Sequence, residues 1–449
     1  MKAGLPSILL IVTALFLLLM SPMNALGALE LKESAAGPLQ SSSSPPIDNP
    51  TSGKAQSEDE RFILVANLDA YFTYSDLEND DDLWGGGINA TVAPAYRIND
   101  TLFALVMYDG NYYKRREFYA DDFGYLQRTE FQGHTVTPML RIDFGEKSKY
   151  SLTPSVFGTW TYNKDGGGDN DNDDWDNGLY NYRDLGAGLD FDVREVFGEY
   201  GFLKLGVQHY FREYPNYESL ASMVQIPGQP DEEDEKDYRG TIVKVGYKWL
   251  KDYGWAWTSE ISMLYKKLDD KKVVEPSGLT NQAQEDWVYN LNLNGWYLFE
   301  NIGGGLRLGV ELDGGRYDSN QNYYDLLGAV PNPNTVFIDD FYDYRAYTIR
   351  PYVSYTFDLL PLTPVFSYAY RHIDYTDRRA RDANGLYTSD KQWEELHETI
   401  LSLRYDLTHQ LSLIGWWQHQ KARSNNKYQS VYRYDYVVDN ISFGASYRF

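Results

Sequence analysis

Apolar and polar side chains alternate with a period of two from about residue 61 to the last residue of the chain. In the final segment Ile441, Phe443 and Tyr447 fall on one face, while Ser442 and Ser446 fall on the other. Successive side chains of a β-strand point to opposite faces, whereas a helix repeats every 3.6 residues. The sequence therefore predicts an all-β fold whose strands each have one apolar and one polar face.

Sixteen segments follow this pattern, and the connections between them alternate in length. Short connections, for example 144–149 and 407–409, alternate along the chain with long ones, for example 214–235, 268–284 and 376–393. Tight turns at one rim and long loops at the other are typical of outer-membrane barrels with an even number of strands. We therefore predict a transmembrane antiparallel up-and-down β-barrel over residues 61–449, with short periplasmic turns and long extracellular loops. The predicted strands lie at 62–75, 84–97, 101–115, 127–143, 150–163, 179–194, 200–213, 236–250, 253–267, 285–299, 303–317, 343–357, 362–375, 394–406, 410–420 and 438–449.

Hydrogen bonding explains why strands that cross a membrane must form a closed barrel. Hydrocarbon offers backbone amides no partner, so a strand-built span closes on itself and leaves no free edge. A soluble β-sandwich would also alternate, but it would not give long and short connections by turns. A solenoid is not supported either, since the chain has no repeat of fixed period.

The first 60 residues predict two segments that precede the barrel. Lys2 is followed by an apolar run from Ile8 to Leu19 and by small residues near Gly27 and Ala28, which is typical of a signal peptide over 1–28. A membrane anchor is the alternative, but a run of about 12 residues is short for a core of about 30 Å. Residues 29–60 are rich in Ser, Pro and acidic residues, which predicts a disordered periplasmic tether or, alternatively, a docking segment for a partner.

Composition limits the partners and the chemistry. The 449 residues carry a formal net charge of −24, which argues against nucleic acid, because phosphate binding requires a basic surface. No cysteine is present, which removes disulfides and Cys-ligated metals, and we expect no cofactor. The 40 Tyr and 11 Trp are abundant although mean hydropathy is negative, so we predict that these rings form two belts at the membrane–water interfaces.

The last ten residues carry a resemblance to a known class. They read NISFGASYRF, with Phe449 terminal and with Phe443 and Tyr447 on its face. This segment resembles the C-terminal signal of Gram-negative outer-membrane β-barrels of the porin-like class. The resemblance implies that Phe443, Tyr447 and Phe449 are read by the barrel-assembly machinery. It identifies the class over about 61–449 but matches no specific family.

A barrel of sixteen strands generally encloses a water-filled lumen. Placing the polar face of each strand inward gives a nearly balanced wall, and most of the excess negative charge falls in the long connections. These charges either form cross-strand ion pairs that hold the shape of the barrel, or create a transverse field that selects small polar or anionic solutes. The candidate lumen-lining residues are Arg97, Arg141, Asp143, Asp190, Arg194, Lys204, Lys244, Arg307, Glu311, Arg350, Arg371 and Arg404.

Inward rings and an acidic loop suggest two further binding chemistries. Tyr210, Tyr352, Trp296 and Trp416 could stack on sugar rings, or they pack inside a constriction. The connection 166–178 offers the candidate calcium ligands Asp169, Asp171 and Asp173, since carboxylates at this spacing can converge on Ca²⁺. No bidentate Glu or flanking helix accompanies them, so a solvated acidic loop is the simpler interpretation.

Catalysis has little support in this sequence. An outer-membrane hydrolase needs a His beside a Ser or Asp near the loop rim. Among the six His, His372 has an Asp nearby in the sequence, Asp374, and lies beside Arg371, but no recognisable Ser motif accompanies it. We therefore expect no enzymatic activity.

These observations favour a passive outer-membrane channel for small hydrophilic solutes. The alternative is the barrel component of an export or surface-assembly system, with a periplasmic partner bound to the tether. The expected partners are outer-membrane lipid, the barrel-assembly machinery during biogenesis, and small polar solutes. The solute, the ion selectivity and the choice between monomer and trimer stay open.

Overall fold

The computed structural model describes the chain from Arg61 onward, apart from stretches within several connections. The predicted signal peptide (1–28) and tether (29–60) lie outside the described residues. The described ranges are 61–78, 82–116, 128–165, 175–178, 180–217, 234–251, 253–299, 304–325, 336–428 and 434–449.

Sixteen antiparallel strands form one closed barrel, which confirms the predicted fold class. Two further short strands, β12 (Tyr323–Asp325) and β13 (Val336–Ile338), pair with each other in a separate sheet. The wall strands are β1 (Phe62–Leu77), β2 (Leu83–Arg97), β3 (Leu102–Arg116), β4 (Arg128–Phe144), β5 (Tyr150–Asp165), β6 (Tyr182–Arg194), β7 (Gly201–Glu213), β8 (Tyr238–Trp249), β9 (Gly254–Glu275), β10 (Gly278–Phe299), β11 (Gly304–Ser319), β14 (Tyr344–Phe357), β15 (Leu362–Arg381), β16 (Tyr387–Asp406), β17 (Leu411–Ser424) and β18 (Tyr436–Arg448).

The barrel closes where β1 pairs with β18. In this seam Phe72 lies opposite Phe443, and the Thr73 and Ser442 hydroxyls are 2.7 Å apart. Each wall strand is thereby paired on both sides, so its backbone groups are satisfied without water. This satisfies the requirement that hydrocarbon places on a strand-built span.

The outward face carries an apolar belt between two bands of aromatic rings. Within the belt, Leu185 and Phe443 are 69% and 68% exposed, and Leu308 and Leu401 are also exposed. Large apolar side chains exposed around a whole wall require a lipid environment. Ring pairs at the short-turn rim and at the long-loop rim border this belt: Tyr150–Phe191, Trp255–Tyr297 and Tyr355–Phe357 at the former, and Phe72–Trp84, Tyr265–Trp287 and Tyr347–Tyr370 at the latter.

Two connections that the sequence predicts as long loops are strands in the structure. Strands β9 and β10 continue to a tight turn between Glu275 and Gly278, so the segment 268–284 is largely paired. Similarly, β15 and β16 continue through most of 376–393. Both hairpins contain register shifts where they extend the wall. The prediction failed there because strands beyond the lipid need no continuous apolar face.

Among the described residues, no helix is long and apolar enough to cross a membrane.

Candidate functional site on the inner wall of the barrel

The inner wall is the face opposite the exposed apolar belt. Cross-strand register assigns side chains to it, because directly paired residues share a face. All twelve candidate residues from the sequence analysis fall on this face, namely Arg97, Arg141, Asp143, Asp190, Arg194, Lys204, Lys244, Arg307, Glu311, Arg350, Arg371 and Arg404.

Arg350 on β14 binds two carboxylates, one on the neighbouring strand β11 and one on β16, which lies two strands away. Its Nη1 lies 3.1 Å from Glu311 Oε2, and its Nη2 lies 3.3 Å from Glu398 Oε1. Gln418 and Gln420 donate hydrogen bonds to the other oxygen of Glu398. This network joins side chains from four of the sixteen wall strands, β11, β14, β16 and β17, and spans β15 between them.

Ion pairs that join only two residues lie nearer the periplasmic turns. Arg141 Nε donates to Asp143 at 2.8 Å, and Arg404 Nε donates to Asp406 at 2.7 Å. Lys204 lies 3.2 Å from Asp190 on the neighbouring strand. The side chains of Lys204 and Arg404 keep 53% and 36% of their surface exposed, so these pairs are in contact with water.

Several candidate cations have no ion pair within 4.0 Å among the described residues: Arg194, Lys244, Arg307 and Arg371. The Arg307 guanidinium lies 5.5 Å from the ring centre of Trp296, and its buried Nε has no hydrogen-bond acceptor. The structure thus separates the candidates into paired and uncompensated charges, a division that the sequence did not predict.

Arg212 and Asp184 form an enclosed ion pair on the inner wall. Arg212 Nε and Nη2 donate to the two Asp184 oxygens at 2.7 and 2.9 Å, and the guanidinium stacks on Tyr182 at 3.7 Å. The two side chains are only 15% and 8% exposed. A bidentate pair under an aromatic ring is geometrically fixed and shielded from salt.

Asp286 organises a second enclosed network at the extracellular end. It accepts hydrogen bonds from the Tyr317 hydroxyl at 2.6 Å, the Ser319 hydroxyl at 2.7 Å and the Gln284 amide. Lys266 lies directly opposite Asp286 in the pairing of β9 with β10, and both are 3% exposed. Sequence reasoning missed this network, because its members lie where the predicted strands end and the wall extends.

Tyrosine rings also pack inside the barrel. Tyr317, Tyr344, Ile373 and Tyr375 form one buried cluster on the inner face of β11, β14 and β15. The interpretation of the rings as two interfacial belts was therefore wrong for this group. Composition could not separate lipid-facing from inward rings, whereas the parity of each strand does.

The end of the connection between β11 and β14, residues 336–343, packs at the extracellular end of the lumen. Ile338 and Phe341 are buried, and the Arg378 guanidinium lies 4.7 Å from the Phe341 ring centre. Burial raises the pKa of Asp343 to about 10, with nearby Asp340 and Asp318 adding to the effect. Burial likewise raises the pKa of Tyr342 to about 12. Asp343 is only 4% exposed, so this end of the lumen is shielded from water.

Charge changes along the inner wall when residues are counted from the periplasmic end of each strand. The first seven positions carry five carboxylates and nine cations: Asp143, Asp190, Asp192, Glu260 and Asp406, and Arg97, Arg141, Arg194, Lys204, Lys244, Lys248, Arg307, Arg404 and Arg448. The eighth to fourteenth positions carry eight carboxylates and five cations: Asp69, Asp109, Asp184, Asp286, Glu311, Asp313, Glu394 and Glu398, and Arg115, Arg212, Lys266, Arg350 and Arg371.

Histidines on the strands face outward rather than into the lumen. His372 Nε2 lies 3.0 Å from Asp374, and its Nδ1 lies 3.4 Å from Glu395, near the long-loop rim. Arg371 lies on the opposite face, so the sequence neighbours of His372 do not form one constellation. His134, His209, His397 and His419 face outward as well, each beside a Tyr, Thr or Asp partner.

The remaining sequence candidates lie at the edges of the described structure. Phe443, Tyr447 and Phe449 point outward and are exposed on the last strand and its end. Asp169, Asp171 and Asp173, the candidate calcium ligands, lie outside the described residues. Within the described ranges, no group of three or more His, Asp or Glu side chains is arranged to hold a metal ion.

Comparison with known proteins finds similarity only at the level of solved structures. No protein-family model and no curated protein matches the chain. OmpT, an outer membrane protein of Vibrio cholerae (trimer form), is 10% identical with a TM-score of 0.43, covering 87% of this chain and 100% of that one. OccAB1 of Acinetobacter baumannii is 13% identical with a TM-score of 0.44, covering 87% and 97%. CdiB of Acinetobacter baumannii is 12% identical with a TM-score of 0.44, covering 85% and 60%.

At these scores the assignment rests on the geometry of the chain itself. The barrel combines a closed wall of sixteen paired strands, an exposed apolar belt between two bands of aromatic rings, and a polar inner face. Short turns at one rim and longer connections at the other complete the architecture. The chain is therefore a closed sixteen-stranded β-barrel with the architecture of an outer-membrane barrel.

Proposed function

We propose that the barrel is a passive channel through which small hydrophilic solutes diffuse across the outer membrane. The observation that carries the proposal is the wet periplasmic half of the inner wall, where ion-paired side chains such as Lys204 and Arg404 keep much of their surface exposed. A wall of sixteen strands is wide enough for an aqueous path. Diffusion needs no catalytic group, so we assign no enzymatic role.

The twelve inner-wall candidates would line this path, and the enclosed extracellular end would restrict it. Arg350 with Glu311 and Glu398 supports a fixed, charged section of wall near mid-height. Asp286 and the Tyr cluster support a narrower section above it. Solutes would therefore be selected by size at the mouth and by charge below it.

Conductance of the purified protein in planar lipid bilayers tests this function directly. We expect discrete steps of current that grow with salt concentration, because ions carry the current through an aqueous lumen. A barrel that is folded, as judged by its heat-dependent migration in gels, and that shows no conductance at any salt would contradict the proposal.

A component of an export or assembly system is the alternative, and its support is the Ser-, Pro- and acid-rich segment 29–60. Deletion of this segment separates the two functions. Loss of a displayed cargo with unchanged conductance would favour the alternative, whereas unchanged behaviour of both would leave the segment as a spacer.

A further inference from the structure

The inner wall divides into two zones of opposite charge along the barrel axis. Near the periplasmic turns, Asp143, Asp190 and Asp406 are each neutralised by a paired Arg or Lys. Arg194, Lys244, Lys248, Arg307 and Arg448 have no ion pair within 4.0 Å among the described residues. Asp192 and Glu260 offset only part of this excess, so the periplasmic zone is positive.

The extracellular zone has the opposite sign. Two of its five cations, Arg212 and Arg350, are neutralised by carboxylates that lie within 3.3 Å. The other three are Arg115, Lys266 and Arg371, and eight carboxylates face the five cations. Asp69, Asp109 and Asp313 have no ion pair within 4.0 Å in the described part of the chain, and carboxylates outnumber cations over these positions. The negative zone therefore lies directly above the positive one.

We infer that the lumen is bipolar and that it rectifies ionic current, with a larger current when the extracellular side is positive. This inference rests on the proposed channel function. At that polarity cations enter through the negative zone and anions enter through the positive zone, so both accumulate where the zones meet. The opposite polarity draws both ions away from this junction and lowers the conductance.

Rectification depends on how far each field reaches into the lumen. The Debye length is about 10 Å at 0.1 M salt and about 3 Å at 1 M, so the wall charges control ion concentrations only in dilute salt. We expect the ratio of currents at opposite voltages to exceed about 1.5 at 0.1 M and to approach 1 at 1 M. A current ratio that falls with salt in this way is caused by the charges of the wall rather than by the shape of the pore.

The orientation of each channel must be known, and the chain offers a direct marker because it has no cysteine. Leu386 is exposed at the tip of the β15–β16 hairpin, on the long-loop side. A bulky thiol-reactive polymer reaches Leu386→Cys only from the chamber that faces this rim. The chamber from which the reagent alters the current therefore identifies the extracellular side.

A double variant and a matched control test the cause. Lys244→Gln with Lys248→Gln removes two uncompensated charges from the positive zone, and we expect the current ratio to fall toward 1 while conductance persists. Lys421→Gln with Arg423→Gln removes the same net charge from the outer face of β17 and should leave the ratio unchanged.

The outcomes separate this inference from the channel function. A conducting wild-type barrel with a symmetric current–voltage curve at 0.1 M would overturn the bipolar lumen and leave the channel intact. Equal loss of rectification in both double variants would also overturn it, since the control charges lie outside the lumen. Absence of any conductance would overturn the channel and the inference together.

Discussion

The two ends of the inner wall are built from the same strands but hold their charges differently. Near the periplasmic turns the side chain of Lys204 is 53% exposed in its pair with Asp190. Toward the extracellular end Arg212 and Asp184 are 15% and 8% exposed, under the ring of Tyr182. The difference follows from what covers each end, since tyrosines and wall extensions enclose the extracellular side. Ion pairs of the same chemical kind at two heights of one barrel therefore contribute unequally to stability and to transport.

Breaking the enclosed pair should have the largest effect. Arg212→Ala leaves the buried Asp184 carboxylate without its partner, which costs about 3–5 kcal/mol for a buried charge. Lys204→Ala at the wet end should cost about 0–1 kcal/mol, because water solvates Asp190 in its place. Urea-induced unfolding in lipid vesicles measures both, and equal losses would contradict the contrast between the two ends.

The Asp286 network should show a smaller effect of the same kind. Asp286→Asn keeps the size of the side chain but replaces one acceptor oxygen with a donor, so the hydrogen bonds from Tyr317, Ser319 and Gln284 cannot all persist. An unsatisfied buried group costs about 1–3 kcal/mol. The control is Asp190→Asn in the wet half, and a loss there as large as for Asp286→Asn would show that burial is not the cause.

Raising the pH should loosen the extracellular end alone. The Asp343 carboxyl, with a pKa raised to about 10 by burial, stays neutral in the folded state, whereas an unfolded Asp ionises near about 3.9. Its contribution to stability is therefore complete below about pH 4 and declines as pH rises toward 10. We expect hydrogen-exchange protection over 336–343 to be lower at pH 8 than at pH 5.

Asp343→Asn should remove this dependence, because an amide does not ionise. Asp390→Asn is the matched control, since Asp390 is exposed on the β16 arm of a hairpin that extends beyond the belt. Protection in Asp343→Asn that still declines with pH as in the wild type would assign the effect to another group.

The smallest expected effect concerns ion selectivity in the wet half. Arg141→Ala and Arg404→Ala each free a carboxylate, Asp143 or Asp406, and should lower the ratio of anion to cation permeability by less than about twofold. Reversal potentials under a salt gradient measure this ratio. Arg423→Ala on the outer face should leave it unchanged, and an equal shift there would exclude a local origin.

Sequence periodicity predicted the barrel well because lipid imposes it residue by residue. Every membrane-crossing segment needs an apolar outer face, so parity alone placed Arg350, Glu311 and Arg371 on one side of the wall. The extended hairpins at 268–284 and 376–393 were missed because they rise beyond the lipid and lack that constraint. The ion-pair partners of the inner wall were also missed, because the contacts of Arg350 with Glu311 and Glu398 depend on the stagger between strands, which the sequence does not give. The abundance of aromatic residues also did not distinguish the inward Tyr317 and Tyr344 from interfacial rings, because composition does not show which face of a strand a ring occupies.

The seam between β1 and β18 has a consequence for the order of events during folding. It pairs Asn67 with Arg448 and Leu77 with Val438, so the contacts that shut the wall join the two ends of the barrel sequence. Contacts at such large separations form slowly, because loop entropy must be overcome first. Until the sixteenth wall strand has been synthesised, every partial sheet keeps two open edges that can pair with other chains. A nascent chain of this design therefore depends on being kept apart from its copies until its last strand arrives.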